Sequence, residues 1–138
     1  MKITFNLTLI SLLLGTGVFA QTKIPTSIEY FKSGNVKYEL DDYRGAIQDY
    51  NKAIELNPKD EIAYYNRGNA KSKLEDYHGA IQDYNKAIEL NPNDKDAYNF
   101  RGIAKFKLGD TNGACLDFSK AGELGLEKAY EAIKRLCN

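Results

Sequence analysis

The segment 43–58 reads YRGAIQDYNKAIELNP and the segment 77–92 reads YHGAIQDYNKAIELNP, the same letters save Arg44 against His78. Registering 27–60 over 61–94 aligns identical residues at about two-thirds of the positions, and 95–128 falls in the same register with more changes. A fixed period of 34 residues signals a repeat architecture, in which no unit buries its own apolar stripe and stacking on a neighbour does it instead. Each unit reads as two short helices, A and B, parted by an acidic turn: Asp41-Asp42, Glu75-Asp76 and Gly109-Asp110. Asp42, Asp76 and Asp110 are placed to cap helix B, and Pro58 and Pro92 stop it and restart the chain.

The letters that recur carry a resemblance. Helix A supplies Tyr30, Tyr64 and Tyr98, then Gly34, Gly68 and Gly102; helix B supplies Ala46, Ala80 and Ala114, then Tyr50, Tyr84 and Phe118, then Ala53, Ala87 and Ala121. With Pro58 and Pro92 this resembles the tetratricopeptide repeat over 27–128, only the third proline being replaced, by Leu126 after Gly125. The resemblance implies an all-α, right-handed α-solenoid of three helix-turn-helix repeats (27–60, 61–94 and 95–128) with a C-terminal capping helix over 126–138. Elementary packing agrees, because Gly and Ala let two helix backbones approach while an aromatic ring fills the space beside them.

Two departures stand out. Helix A positions usually apolar in the family read Ser33, Arg67 and Arg101, and four residues on, Lys37, Lys71 and Lys105, while helix B repeats Asp49, Asp83 and Asp117. The expectation is an ion-pair ladder alternating across the stack at the edge of the packing, with an anion-binding strip as the alternative. Gly45, Gly79 and Gly113 recur in the first turn of helix B, where glycine costs up to about 1 kcal/mol against alanine, and sequence offers no account of them.

After Gly125, Leu126, Ala129, Tyr130, Ile133 and Cys137 recur at helical spacing, the pattern of a solitary helix closing the open end of a stack. Cys115 and Cys137 lie eleven residues either side of Leu126, so an antiparallel hairpin turning there brings them level. An even pair so placed in an oxidising compartment suggests a disulfide; two buried free thiols are the alternative.

The first residues, MKITFNLTLISLLLGTGVFA, carry Lys2, an apolar stretch centred on residues 9–14, and small residues at Val18 and Ala20. That is the layout of a secretory signal peptide over 1–20, cleaved before Gln21, and Asn6, Thr8, Ser11 and Gly15 dilute it below what a spanning helix needs. The expectation is an exported chain of bacterial type, periplasmic or extracellular, with a short segment over 21–26 before the first repeat and no stable membrane insertion after cleavage. Nineteen basic and nineteen acidic residues cancel, which argues against a nucleic-acid partner. No nucleophile-base pair, phosphate-cradling loop or metal-ligand cluster is legible, so neither an enzyme nor a cofactor is expected. The lone His78, which is Arg44 and Asn112 in the other repeats, reads as a surface residue, and the polar run NPNDKD has Lys95 at a calcium-ligand place and lacks the glycine that loop requires.

The resemblance directs a binding function to the inner face of the A helices. Carried over residue by residue, it implies a groove for a peptide or partner protein formed by Phe31, Asn35, Tyr38, Tyr65, Asn66, Asn69, Asn99, Phe100, Ile103 and Phe106. Aromatic rings give contact area at low entropic cost and carboxamides both donate to and accept from a peptide backbone. Family members that clamp the terminal carboxylate of chaperone tails use basic and Asn side chains; Asn35 and Asn66 match, but the basic positions hold Phe31, Asp96 and Phe100, so that specificity is not expected. The runner-up is a self-associating or structural subunit, the exposed rings being covered by a second copy of the chain.

Overall fold

A computed structural model describes residues 24–137; the expected signal peptide lies outside the described residues, as do residues 21–23 of the segment after it. Seven helices and no strand make up the described chain: α1 (Ser27–Glu39), α2 (Tyr43–Leu56), α3 (Glu61–Lys73), α4 (Tyr77–Leu90), α5 (Lys95–Lys107), α6 (Thr111–Glu123) and α7 (Glu127–Leu136). Each packs on the next, with lighter contacts between α1 and α3 and between α3 and α5. That is the contact pattern of a solenoid, in which each repeat touches only its neighbours. None of the described helices is long and apolar enough to cross a membrane.

The helices start where the sequence puts caps. Asp42, Asp76 and Asp110 accept from the backbone N–H of Gly45, Gly79 and Gly113 at 2.9 Å. The recurrent glycines, unexplained by sequence, are explained by that bond. A Cβ built on Gly45, Gly79 or Gly113 falls 2.1, 2.2 and 2.1 Å from the Oδ2 of its own capping aspartate. Any larger residue turns the carboxylate away and frees an N–H of the first turn. Helix A is capped as well, by a Thr26–Glu29 capping box before α1 and by Asp60 and Asp94 before α3 and α5.

The A-to-B turns close with a left-handed residue after helix A: Asp41 (φ 60°), Glu75 (φ 62°) and Gly109 (φ 86°). The N–H of the following aspartate then reaches back to Lys37, Lys71 or Lys105. The same device ends α6, where Gly125 (φ 91°) lets the Leu126 N–H reach the Ala121 carbonyl at 3.0 Å. This is why the third repeat dispenses with its proline.

The core is built from three rings, Tyr50, Tyr84 and Phe118, each at most 1% exposed. Each lies against the glycine of its own helix A, so closely that a Cβ on Gly34, Gly68 or Gly102 falls 2.7 to 2.8 Å from a ring carbon. Tyr50 also packs with Ala70, and Tyr84 with Ala104, in the next repeat, while Phe118 clusters with Ala129 of α7. One ring thus holds its own hairpin and the next unit together, and burying it stabilises by about 1.5–3 kcal/mol.

The polar positions of helix A correct the sequence expectation. The ion pairs do not alternate across the stack; each forms between the A and B helices of one repeat. Asp83 receives Arg67 through Nη2 at 2.6 Å and Nε at 2.9 Å, and Lys71 at 2.8 Å. Asp117 receives Arg101 and Lys105 with the same geometry, and Asp49 takes Ser33 Oγ at 2.6 Å and Lys37 at 2.7 Å. The link between repeats is a neutral acceptor instead: Arg67 Nη1 donates to Asn51 and Arg101 Nη1 to Asn85, both at 2.7 Å. The Asp83 and Asp117 side chains are only 5% exposed, so the layer lies inside the helix packing and not at its edge. With these bases all engaged, no strip of free cations is left for an anion.

Two measurements check this account. Gly79→Ala is expected to change unfolding free energy little in the native chain, since a helix-propensity gain of about 1 kcal/mol offsets a lost cap of similar size, yet to stabilise by about 1 kcal/mol where Asp76 is already Ala; equal effects in both backgrounds contradict the steric coupling. A double-mutant cycle between Lys71 and Asp83 is expected to give a coupling of about 1–3 kcal/mol and the cycle between Lys71 and Asp49 none.

Candidate functional site

The face of the solenoid lined by α1, α3 and α5 carries an open groove that continues onto α7. It begins in a cleft of ≈ 220 Å³ formed by Asn35, Tyr38, Glu39, Tyr50, Asn66 and Asn69. A second cleft of ≈ 220 Å³ shares Tyr38 and Asn69 with it and reaches Ser72, Lys73, Tyr84, Phe100 and Ile103. Phe100 and Ile103 then pass into a third, of ≈ 480 Å³, whose other wall is Lys128, Glu131 and Arg135 of α7. The three share residues end to end, which makes one trough.

The trough exists because helix A offers three faces. Gly34, Gly68 and Gly102 face helix B through the rings, the Arg and Lys positions face the buried aspartates, and the remaining face has none of the described helices upon it. In the first two repeats the hydroxyl of the core ring crosses under that face and fixes a carboxamide: Tyr50 donates to Asn35 Oδ1 and Tyr84 to Asn69 Oδ1, both at 2.7 Å. Asn66 Nδ2 also donates to Asn35 Oδ1, at 3.0 Å, and ties the second repeat to the first across the floor. Burial pushes the Tyr50 phenol up to about 12 and raises that of Tyr84, so both stay protonated donors at any physiological pH. Asn66 has its Oδ1 to offer, with no partner for it among the described residues, while the Asn69 carboxamide also meets the Tyr65 phenol.

Of the residues assigned to the groove by sequence, Asn35, Tyr38, Asn66 and Asn69 come together in the first cleft and Asn99, Phe100 and Ile103 in the third. Phe31 and Tyr65 line none of the three clefts and pack against the core instead. Each ring lies 6.0 Å from the buried tyrosine of its own repeat, and Tyr65 also meets Phe100 edge-on at 5.9 Å. Phe106, 38% exposed, stands outside the three clefts. Cys115 and Cys137 are brought together at disulfide-bonding distance, with Cα atoms 5.8 Å apart. The α7 wall was not anticipated. Its signal is in the sequence, since Lys128, Glu131 and Arg135 recur at helical spacing between the apolar residues Ala129, Ala132 and Ile133, which pack on the α6 core cluster. Among the described residues no group of three or more His, Cys, Asp or Glu side chains is placed to hold a metal ion.

Comparison with known proteins bears on this arrangement. The tetratricopeptide repeat model matches residues 62–94, and a second TPR repeat model matches residues 34–75. No significant match to a curated protein sequence was found. Among solved structures, the Arabidopsis OM64 TPR domain is 32% identical with a TM-score of 0.78, over 80% of this chain and 93% of that one. The first TPR of Spaghetti (RPAP3), bound to the HSP90 peptide SRMEEVD, is 26% identical with a TM-score of 0.78, over 81% of this chain and 90% of that one. The second TPR domain of human RPAP3, in complex with the HSP70 peptide SGPTIEEVD, is 27% identical with a TM-score of 0.77, over 81% and 95%. A period of 34 residues whose glycines and rings interlock as they do here, taken with these matches, makes the chain a member of the tetratricopeptide repeat family.

Proposed function

We propose that this chain is an exported, non-catalytic interaction module that seats an extended segment of a partner protein in the trough along α1, α3, α5 and α7. The observation that carries the reading is the trough itself, where rings stand beside carboxamides whose orientation the buried phenols fix, with the Asn66 oxygen left open to a ligand. A peptide backbone presents both a donor and an acceptor at every residue, so such a surface suits an extended chain better than a small polar metabolite. The solved TPR domains bound to HSP90 and HSP70 peptides support a peptide as the occupant. They do not support those tails as the ligand here, because Phe31, Asp96 and Phe100 stand where the resemblance expects bases. Export rests on the sequence of residues 1–20, and in that setting Cys115 and Cys137 form a disulfide that staples α7, one wall of the trough, to α6.

A photo-crosslinking residue at Asn69, in the trough, is expected to capture a discrete heterologous protein in the native compartment, and the same residue at the exposed Glu89 of α4 is not. Identical adducts from both positions, or adducts only to a second copy of the chain, contradict the peptide-groove reading. The exported protein is expected to begin at Gln21 and to resist alkylation until reduced. Reduction is expected to lower its unfolding free energy by about 3 kcal/mol, the loop-closure value for this spacing.

A further inference from the structure

The third cleft differs in chemistry from the first. In the earlier repeats a ring hydroxyl and a carboxamide are paired, Tyr50 with Asn35 and Tyr84 with Asn69; in the third repeat both members change together, to Phe118 and Ile103. No polar group is orphaned by the exchange, and the floor becomes apolar. The position held by the rings of Phe31 and Tyr65 changes as well, to Asn99. With Phe118 in place of a tyrosine, that side chain has no core hydroxyl to meet.

Asn99 is only 6% exposed, yet its carboxamide has no hydrogen-bond partner among the described residues. No fully enclosed side-chain polar atom there lacks a partner, so the Asn99 amide opens onto the cleft it lines. An amide so placed, beside Phe100, Ile103, Phe118 and Leu136, is costly to leave unpaired and is ready to exchange two hydrogen bonds with a peptide unit. The rim adds charge of one sign. Glu131 is paired with Lys134 at 3.3 Å, whereas Lys128 faces only the Phe100 ring at 5.8 Å and Arg135 has no carboxylate partner among the described residues. The uncompensated charge at this mouth is cationic.

We propose that the α5–α7 cleft is the specificity pocket of the trough, taking an extended peptide with a large apolar side chain next to an acidic one. The apolar side chain rests on Phe100, Ile103 and Phe118, the Asn99 carboxamide reads the main-chain amide beside it, and the acidic side chain meets Arg135 and Lys128. This rests on the peptide-groove reading and adds to it where the selecting contacts lie and which sequence they select. The first cleft, by contrast, contributes contacts to any backbone.

The test is nuclear magnetic resonance on the isotope-labelled chain, titrated with short end-blocked Gly/Ser peptides that carry one Leu-Glu pair. The Asn99 side-chain amide and the backbone amides of Phe100 and Ile103 are expected to shift. Binding is expected to weaken about tenfold when the peptide Glu becomes Lys, and by a similar factor with Asn99→Ala, each the loss of one well-made polar contact. Arg135→Glu, on an exposed face of α7, is expected to reverse the preference toward Leu-Lys and so carries the test if Asn99→Ala does not fold. Shifts confined to Asn35, Asn66 and Asn69 overturn this proposal and leave the peptide groove standing. Equal binding of Leu-Glu and Leu-Lys, or binding only of peptides with a free terminal carboxylate, also overturns it. No shift with any peptide overturns both.

Discussion

The contact between a helix A glycine and the ring of the following helix B sets the geometry of everything else. At Gly34, Gly68 and Gly102 there is no room for even a Cβ, which would fall within 2.8 Å of a ring carbon. Helices held so close leave the ring nowhere to go but flat between them, and its far edge then meets the small residue of the next repeat. Dense packing of this kind makes the joint stiff, because an interior packed as closely as an organic crystal has no slack to absorb a shift. A repeated stiff joint produces a regular stack, and regularity is what lets the open faces of successive A helices line up as one trough.

The polar layer has a different task. Asp83 and Asp117 are nearly sealed from water and each satisfies an arginine and a lysine of the same hairpin. A buried carboxylate is costly unless fully bonded, so these contacts penalise misregister of helix A against helix B more than they add net stability. The third arginine nitrogen, reaching back to Asn51 or Asn85, extends that register to the preceding repeat. Repeat one holds Ser33 where the others hold arginine, and its hydroxyl donates to Asp49 within the same repeat.

At the groove, the phenols of Tyr50 and Tyr84 join core and site. Their rings fill the joint and their hydroxyls orient Asn35 and Asn69, so the surface available to a ligand is set from beneath. The third repeat gives up this device and gains the α7 wall. The trough therefore changes along its length, from fixed carboxamides over tyrosines to an apolar floor with a single buried amide and a cationic rim.

How much of this was legible in sequence follows the range of the interactions. Period, helix limits, Asp caps and the small and aromatic positions of each joint are local or recur every 34 residues, so spacing alone exposed them, and the closeness of Cys115 and Cys137 followed from equal distances about one turn. Which partner each charge takes was not legible. Arg67 has Asp49 and Asp83 on offer at similar separations along the chain, and only the rotation of helix A against helix B puts Asp83 within reach of it and of Lys71. Nor was the reason for Gly79, which depends on the rotamer of Asp76, or the seclusion of Asn99, whose surroundings come from α5, α6 and α7 together. The repeat determined that the helices would stack; the three-dimensional packing decided which side chains the stack consumes and which it leaves for a partner, because burial depends on neighbours that the order of residues does not place side by side.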